Sequence, residues 1–131
     1  MITFTVPEEI RSLIRSNQRA AYNALFKASS DAMRKLVPDE KYMGGDAPGF
    51  FGVLHTWGRQ MQVHPHIHYL ASGGAYSTKD GRWRPSSENF YLPVRALSLI
   101  YRGKFRDLMI EAGLADGICD EVWELDWNVN I

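Results

Sequence analysis

His64-Pro65-His66-Ile67-His68 is the segment that most narrows the folds open to this chain. Successive side chains on a β-strand point to opposite faces, so residues two apart share a face. As a strand, the segment sets His66 and His68 side by side and turns Ile67 into a core behind them. Two imidazoles on one rigid strand face are half of a metal site.

The surrounding segments say what such a strand sits in. Pro7, with Glu8 and Glu9 behind it, opens a short helix with Ile10, Leu13 and Ile14 on its apolar face. Asn17 reads as the N-cap of a longer helix to about residue 37, with Tyr22, Leu25, Phe26, Met33, Leu36 and Val37 at helical spacing. Pro38 and the Gly44–Gly49 run form its exit loop. Strands follow over 50–57, which Gly58 ends, and 63–71, which Ser72-Gly73-Gly74 closes. Tyr76 and Trp83 flank Thr78-Lys79-Asp80-Gly81, and Asp-Gly is a strong hairpin signal. A polar loop covers 85–89. Pro93 opens a third helix carrying Val94, Leu97, Tyr101, Phe105 and Leu108 on one face, with Gly113 as its C′ residue. Residues 122–131 alternate, with Trp123, Leu125, Trp127, Val129 and Ile131 on one side, and are expected as a half-buried strand. The order α–α–β–β–β–α–β predicts a single α+β domain over 1–131: an antiparallel sheet with helices packed on one face.

Composition excludes several classes. No run approaches the ~20 apolar residues of a membrane span, and no signal-peptide pattern opens the chain. The lone Cys119 excludes an internal disulfide framework and a zinc site of paired cysteines, which fits a reducing, cytoplasmic setting. The zero net charge conceals an asymmetry. Residues 1–110 hold all fifteen Lys and Arg against nine acids, a balance of +6, whereas 111–131 hold six acids and no base. A basic working body with an acidic tail is one reading, and a solvated acidic loop is the other.

A metal at His66 and His68 needs a third ligand. His55 is preferred, because a connection of about six residues makes its strand the antiparallel neighbour of the histidine strand. His64 shares their face one pair further along, beside Pro65, which marks a strand entry or edge. A site of nitrogen and oxygen ligands would suit Mg²⁺ or Mn²⁺ in phosphate chemistry, or Zn²⁺ in a hydrolase.

His66-Ile67-His68 resembles the His-hydrophobic-His motif of the HUH single-strand endonucleases. The wider context is similar to the rolling-circle insertion-sequence transposases: Val53-Leu54-His55-Thr56-Trp57-Gly58-Arg59-Gln60, then Gly73-Gly74, then Asp80-Gly81-Arg82-Trp83, then Phe90-Tyr91-Leu92-Pro93-Val94-Arg95-Ala96-Leu97-Ser98, then Arg102-Gly103-Lys104-Phe105. The resemblance implies a ferredoxin- or RRM-like sheet on which the His pair holds Mg²⁺ or Mn²⁺, with Zn²⁺ the less suited ion. It implies a tyrosine that attacks single-stranded DNA to leave a 5′-phosphotyrosine link. In those transposases the tyrosine lies on a helix after the strand expected here at 122–131, and a zinc-binding segment precedes the region. Neither is matched within 1–131, so the expectation is a metal- and DNA-binding core without complete strand transfer.

No tyrosine here matches that nucleophile. Tyr101, one helical turn from Lys104, is the candidate to test, although it lies on its helix's apolar stripe. Arg82 and Arg84 around Trp83 form a basic-aromatic group suited to single-stranded DNA, to which Arg59 and Lys104, with Arg95, Arg102 and Arg106, would add positive surface. Trp57, Trp123 and Trp127 are expected in the core. The expected partners are single-stranded DNA and a second copy of the chain as a homodimer, with no membrane. The expected location is the bacterial cytoplasm, at the nucleoid when DNA is bound. Two other readings stay open: a non-catalytic single-stranded DNA-binding remnant, and a small His-metal hydrolase unrelated to DNA. The long helices argue against a cupin-like barrel, and no acid lies between Asp46 and Asp80 to serve a hydrolase.

Overall fold

The computed structural model describes residues 1–88 and 91–131. Asn89 and Phe90, which belong to the expected loop at 85–89 and the motif at 90–98, lie outside the described residues. The chain runs β1 (Ile2–Thr5), a 3₁₀ turn (Glu8–Ile10), α1 (Arg11–Ser16), α2 (Gln18–Leu36), β2 (Ala47–Trp57), β3 (Val63–Ser77), β4 (Arg82–Pro85) and α3 (Val94–Glu111). Two 3₁₀ turns (Ala115–Gly117, Asp120–Glu124) and β5 (Val129–Asn130) complete it. Among the described residues the sheet has five strands in the order β2-β3-β1-β5, with β4 also on β3. Every pairing is antiparallel.

The expected α+β layout is the observed one, with helices on a single face of the sheet. Ile2 and Phe4 of β1, Ile67 and Tyr69 of β3 and Val129 of β5 are buried against Leu25 and Met33 of α2 and Leu97, Tyr101 and Phe105 of α3. Aromatic contacts knit these layers: the Phe4 ring meets Tyr69 at 5.7 Å and Tyr101 at 5.0 Å, both edge-on. Tyr101 Oη donates to the Thr5 carbonyl at 2.9 Å, and Tyr69 Oη meets Ser29 Oγ at 2.7 Å. These bonds satisfy hydroxyls that burial would otherwise leave unpaired.

Four expectations need correction. The amino terminus is not purely helical, because Ile2-Thr3-Phe4-Thr5 forms β1 between β3 and β5. β3 does not close at Gly73-Gly74. It continues to Ser77, since a Gly74 side chain would collide with the Arg84 carbonyl at 2.4 Å and only a glycine lets β4 come so near. The strand expected at 122–131 shrinks to Val129–Asn130. The alternation there instead comes from a 3₁₀ turn that stacks Trp123 on Trp127 at 5.4 Å and leaves Leu125 and Ile131 exposed. Finally, α2 packs through Ala21, Ala24, Ala28 and Ala32 as well as Leu25 and Met33, while Tyr22 and Phe26 are only half-buried. Asn17 is the N-cap residue of α2, as expected, and its carbonyl accepts from the Ala21 N–H, while its side chain donates back to the Leu13 carbonyl and makes no capping bond.

The turn chemistry matches the sequence reading. Gly81 (φ +68°) completes the hairpin that pairs Tyr76 with Trp83. Gly113 (φ +74°) ends α3 in a Schellman motif, with Leu114 N–H to the Met109 carbonyl and Gly113 N–H to that of Ile110.

Candidate metal centre

The face of the sheet without helices carries the histidines. Direct cross-strand pairing places His55 of β2 opposite His66 of β3, and Val53 opposite His68. On the other side of β3, Thr3 of β1 stands opposite His68 and Thr5 opposite His66. Directly opposed residues share a face, so His55, His66 and His68 converge. Their ring centroids are 5.2 Å (His55–His66), 4.7 Å (His55–His68) and 4.7 Å (His66–His68) apart. Each offers a ring nitrogen within 4.8 Å of the others. Nitrogens sharing one ion at the usual ~2.0–2.1 Å bond length sit roughly 3.3 Å from each other. Small ring rotations would close that gap, so the donor set fits one divalent cation.

Hydrogen bonds favour one ligating nitrogen on each of the two β3 histidines. His66 Nδ1–H donates to the His64 carbonyl at 2.6 Å, which leaves its Nε2 lone pair free. His68 Nδ1 lies 2.9 Å from Thr3 Oγ1, and in the tautomer with Nδ1–H donating to that oxygen its Nε2 is also free. Burial, then the neighbouring charges of His66 and His55, push the His68 imidazolium below its ordinary pKa and favour the neutral ligand form. His64 is shifted down as well, first by burial, then by the Arg11 cation and His66. Its ring lies 5.0 Å from that of His66 but outside the convergent group; its carbonyl serves the site by orienting His66.

The histidines line a hollow of about 700 Å³ with Trp57, Arg59, Gln60 and Gln62, and among the described residues no carboxylate or tyrosine lines it. Trp57 is 52% exposed at its mouth rather than in the core as expected. Trp123 and Trp127 are buried, as expected.

Of the basic residues singled out in the sequence, the structure brings only Arg59 to the hollow. Arg82, Trp83 and Arg84 pair with β3 at Ser77, Tyr76 and Ala75. Tyr76 is ten residues beyond His66, which is up to ~33 Å along an extended strand. Arg84 is also held in its own chain by Asp80 and Glu40. Lys104 lies on α3, on the helical side of the sheet. Arg102 donates to the Leu125 carbonyl and Arg106 stacks over Trp123, so part of the basic body is engaged by the acidic carboxy-terminal segment. Tyr101 is fully buried beneath the sheet, and burial raises its pKa well above normal; it is a core residue. Sequence reasoning missed Thr3, whose partner His68 is 65 residues away. The Ile2-Thr3-Phe4-Thr5 alternation was the available signal for β1.

Comparison with known proteins adds a family. A family model described as "Putative transposase" matches residues 49–131. A putative transposase of Sinorhizobium fredii is 36% identical over 111 residues, 85% of this chain and 28% of that protein. The transposase for insertion sequence element IS801 of Pseudomonas savastanoi pv. phaseolicola is 34% identical over 83 residues, 63% of this chain and 19% of that protein. The chain thus spans less than a third of the length of either relative. No solved structure matches.

Proposed function

Because the chain belongs to this family of transposases, we propose that it is the cation- and DNA-binding core of a single-strand nicking centre, with His55, His66 and His68 as the metal ligands. One observation carries the reading. Three imidazoles from two directly paired strands meet on the face of the sheet that no helix covers, and hydrogen bonds to His66 and His68 favour Nε2 as the ligand. A divalent cation held there would polarise a phosphodiester of single-stranded DNA. The chain's own part is to favour the neutral His68 imidazole, fix the rotation of His66 and His68 through the His64 carbonyl and Thr3 hydroxyl, and offer Arg59 to the DNA backbone.

The donor set ranks the ions. Three imidazoles with no carboxylate make Mg²⁺ the poorest fit, Mn²⁺ suitable, and Zn²⁺ the tightest binder by intrinsic affinity. We assign Mn²⁺ as the working ion, since phosphate chemistry needs open positions for oxygen ligands. Among the described residues no tyrosine lines the hollow, so the nucleophile would reach the site from outside its lining residues. For the same reason the isolated chain should bind single-stranded DNA without cutting it. A hydrolase would need a general base beside the histidines, and the hollow supplies no carboxylate. Among the described residues no helix is long and apolar enough to cross a membrane.

Fluorescence anisotropy with a labelled single strand tests this reading. Mn²⁺ should tighten binding relative to chelator, the gain should vanish in His66→Ala, and a duplex of the same sequence should bind more weakly. Equal binding with Mn²⁺ and with chelator, or a preference for duplex, would refute it.

A further inference from the structure

The hollow of the histidines continues beyond them. Gln62 also lines an adjoining hollow of about 290 Å³ whose walls include Arg11, Ser12 and Arg15 of α1. Trp57 and Arg15 together border a third, of about 130 Å³. Gln62 and Trp57 are thus the residues that the histidine hollow shares with the hollows lined by Arg11 and Arg15, two arginines one helical turn apart.

Arg11 Nε is shielded from solvent with no hydrogen-bond partner. Among the described residues neither Arg11 nor Arg15 joins an ion pair, although Glu8 lines the same hollow. A shielded guanidinium N–H without an acceptor is costly, and the guanidinium fork matches the oxygens of a phosphate. Half-exposed Trp57 borders both the histidine hollow and the hollow that Arg15 lines, where a base can stack.

We propose that Arg11 and Arg15 form a phosphate-binding subsite for single-stranded DNA, taking a backbone phosphate beside the one at the histidines, with Trp57 stacking the base between them. This rests on the proposed nicking-centre reading for its direction along the strand, but the binding itself needs no metal.

The experiment is therefore done in EDTA, with a labelled oligothymidylate and the full chain, as a salt titration of anisotropy. Arg15 is exposed, so Arg15→Gln leaves the fold intact; Arg11→Gln and the double variant follow, with Arg11→Lys as the charge-restoring control. Each Gln substitution should weaken binding on the order of three- to tenfold and lower the salt slope by about 1. Arg11→Lys should restore the slope, and Mn²⁺ affinity, measured separately without EDTA, should stay unchanged in every arginine variant. Trp57→Ala should weaken binding to oligothymidylate but not to an abasic strand. An unchanged affinity and slope in Arg15→Gln and the double variant would overturn the subsite. So would full displacement of the oligonucleotide by an equal phosphate concentration of inorganic phosphate, which would mark a site for free anions. If the arginine effects occur and Mn²⁺ does not bind, the subsite stands and the metal reading falls.

Discussion

Thr3→Val removes one hydroxyl from behind the candidate metal centre and nearly nothing else. Thr3 Oγ1 lies 2.9 Å from His68 Nδ1 across the β1–β3 pair, and valine has nearly the same shape and an equal liking for a strand. The net value of such a hydrogen bond is about 0.5–1.5 kcal/mol, which converts to about two- to twelvefold in an equilibrium constant. Partners of metal-bound histidines typically account for about 10–100-fold in metal affinity. The ranges overlap near tenfold, so Thr3→Val should weaken Mn²⁺ binding by about tenfold in isothermal titration calorimetry. Thr5→Val is the matched control. Thr5 stands opposite His66 on the same face, but its hydroxyl donates to the Asn128 carbonyl at 2.8 Å and touches no histidine. Its loss should leave Mn²⁺ affinity within about twofold, and Thr3→Ser should recover most of the wild-type value. Equal affinities for Thr3→Val and wild type, or equal losses in both valine variants, would refute the claim that Thr3 orients a ligand.

Other outcomes follow from the core. Tyr101→Phe deletes the bond to the Thr5 carbonyl beneath the sheet and should cost about 1 kcal/mol, a fall of roughly 3–6 °C in Tm by calorimetry, with DNA binding intact; loss of DNA binding at unchanged Tm would contradict its assignment to the core. Gly52→Ala puts a methyl 2.5 Å from the Tyr69 ring and should cost about 1–3 kcal/mol in urea denaturation, whereas a neutral result would mean that Tyr69 moves freely. Bonds from the Thr78 hydroxyl and then its N–H depress the Asp46 carboxyl pKa. Its contribution to stability is therefore present above the ordinary carboxylate range and lost as pH falls through the depressed folded value. The stability gap between wild type and Asp46→Ala should be open at pH 7 and close in acid, and a gap independent of pH would count against this linkage.

The parts of the fold legible in the sequence were those set by local chemistry. Gly113 and Gly81 declare positive φ, the 94–108 stripe declares an amphipathic helix, and the alternation at 63–71 declares a strand. The convergence of His55 with His66 and His68 could be anticipated as well, because a short connection between strands sets their pairing. What stayed hidden depends on distant partners. β1 is four residues long and gains its place only by inserting between β3 and β5. The alternating tryptophans imitate a strand because a 3₁₀ turn also brings Trp123 and Trp127 to one side. Arg82 and Arg84 flank an exposed tryptophan in sequence, yet β4 holds them at the far end of β3 from the histidines, while Arg11 and Arg15, unremarkable in sequence, line hollows that share Gln62 and Trp57 with the histidine hollow.

The most direct test of the central claim is the stoichiometry of Mn²⁺ binding by titration calorimetry, in wild type and in His55→Ala, His66→Ala and His68→Ala, with circular dichroism to verify the fold. One ion per chain in wild type, and its loss or severe weakening in each of the three variants, is the predicted result. No saturable Mn²⁺ site in wild type, or a site that survives all three substitutions, would contradict the account.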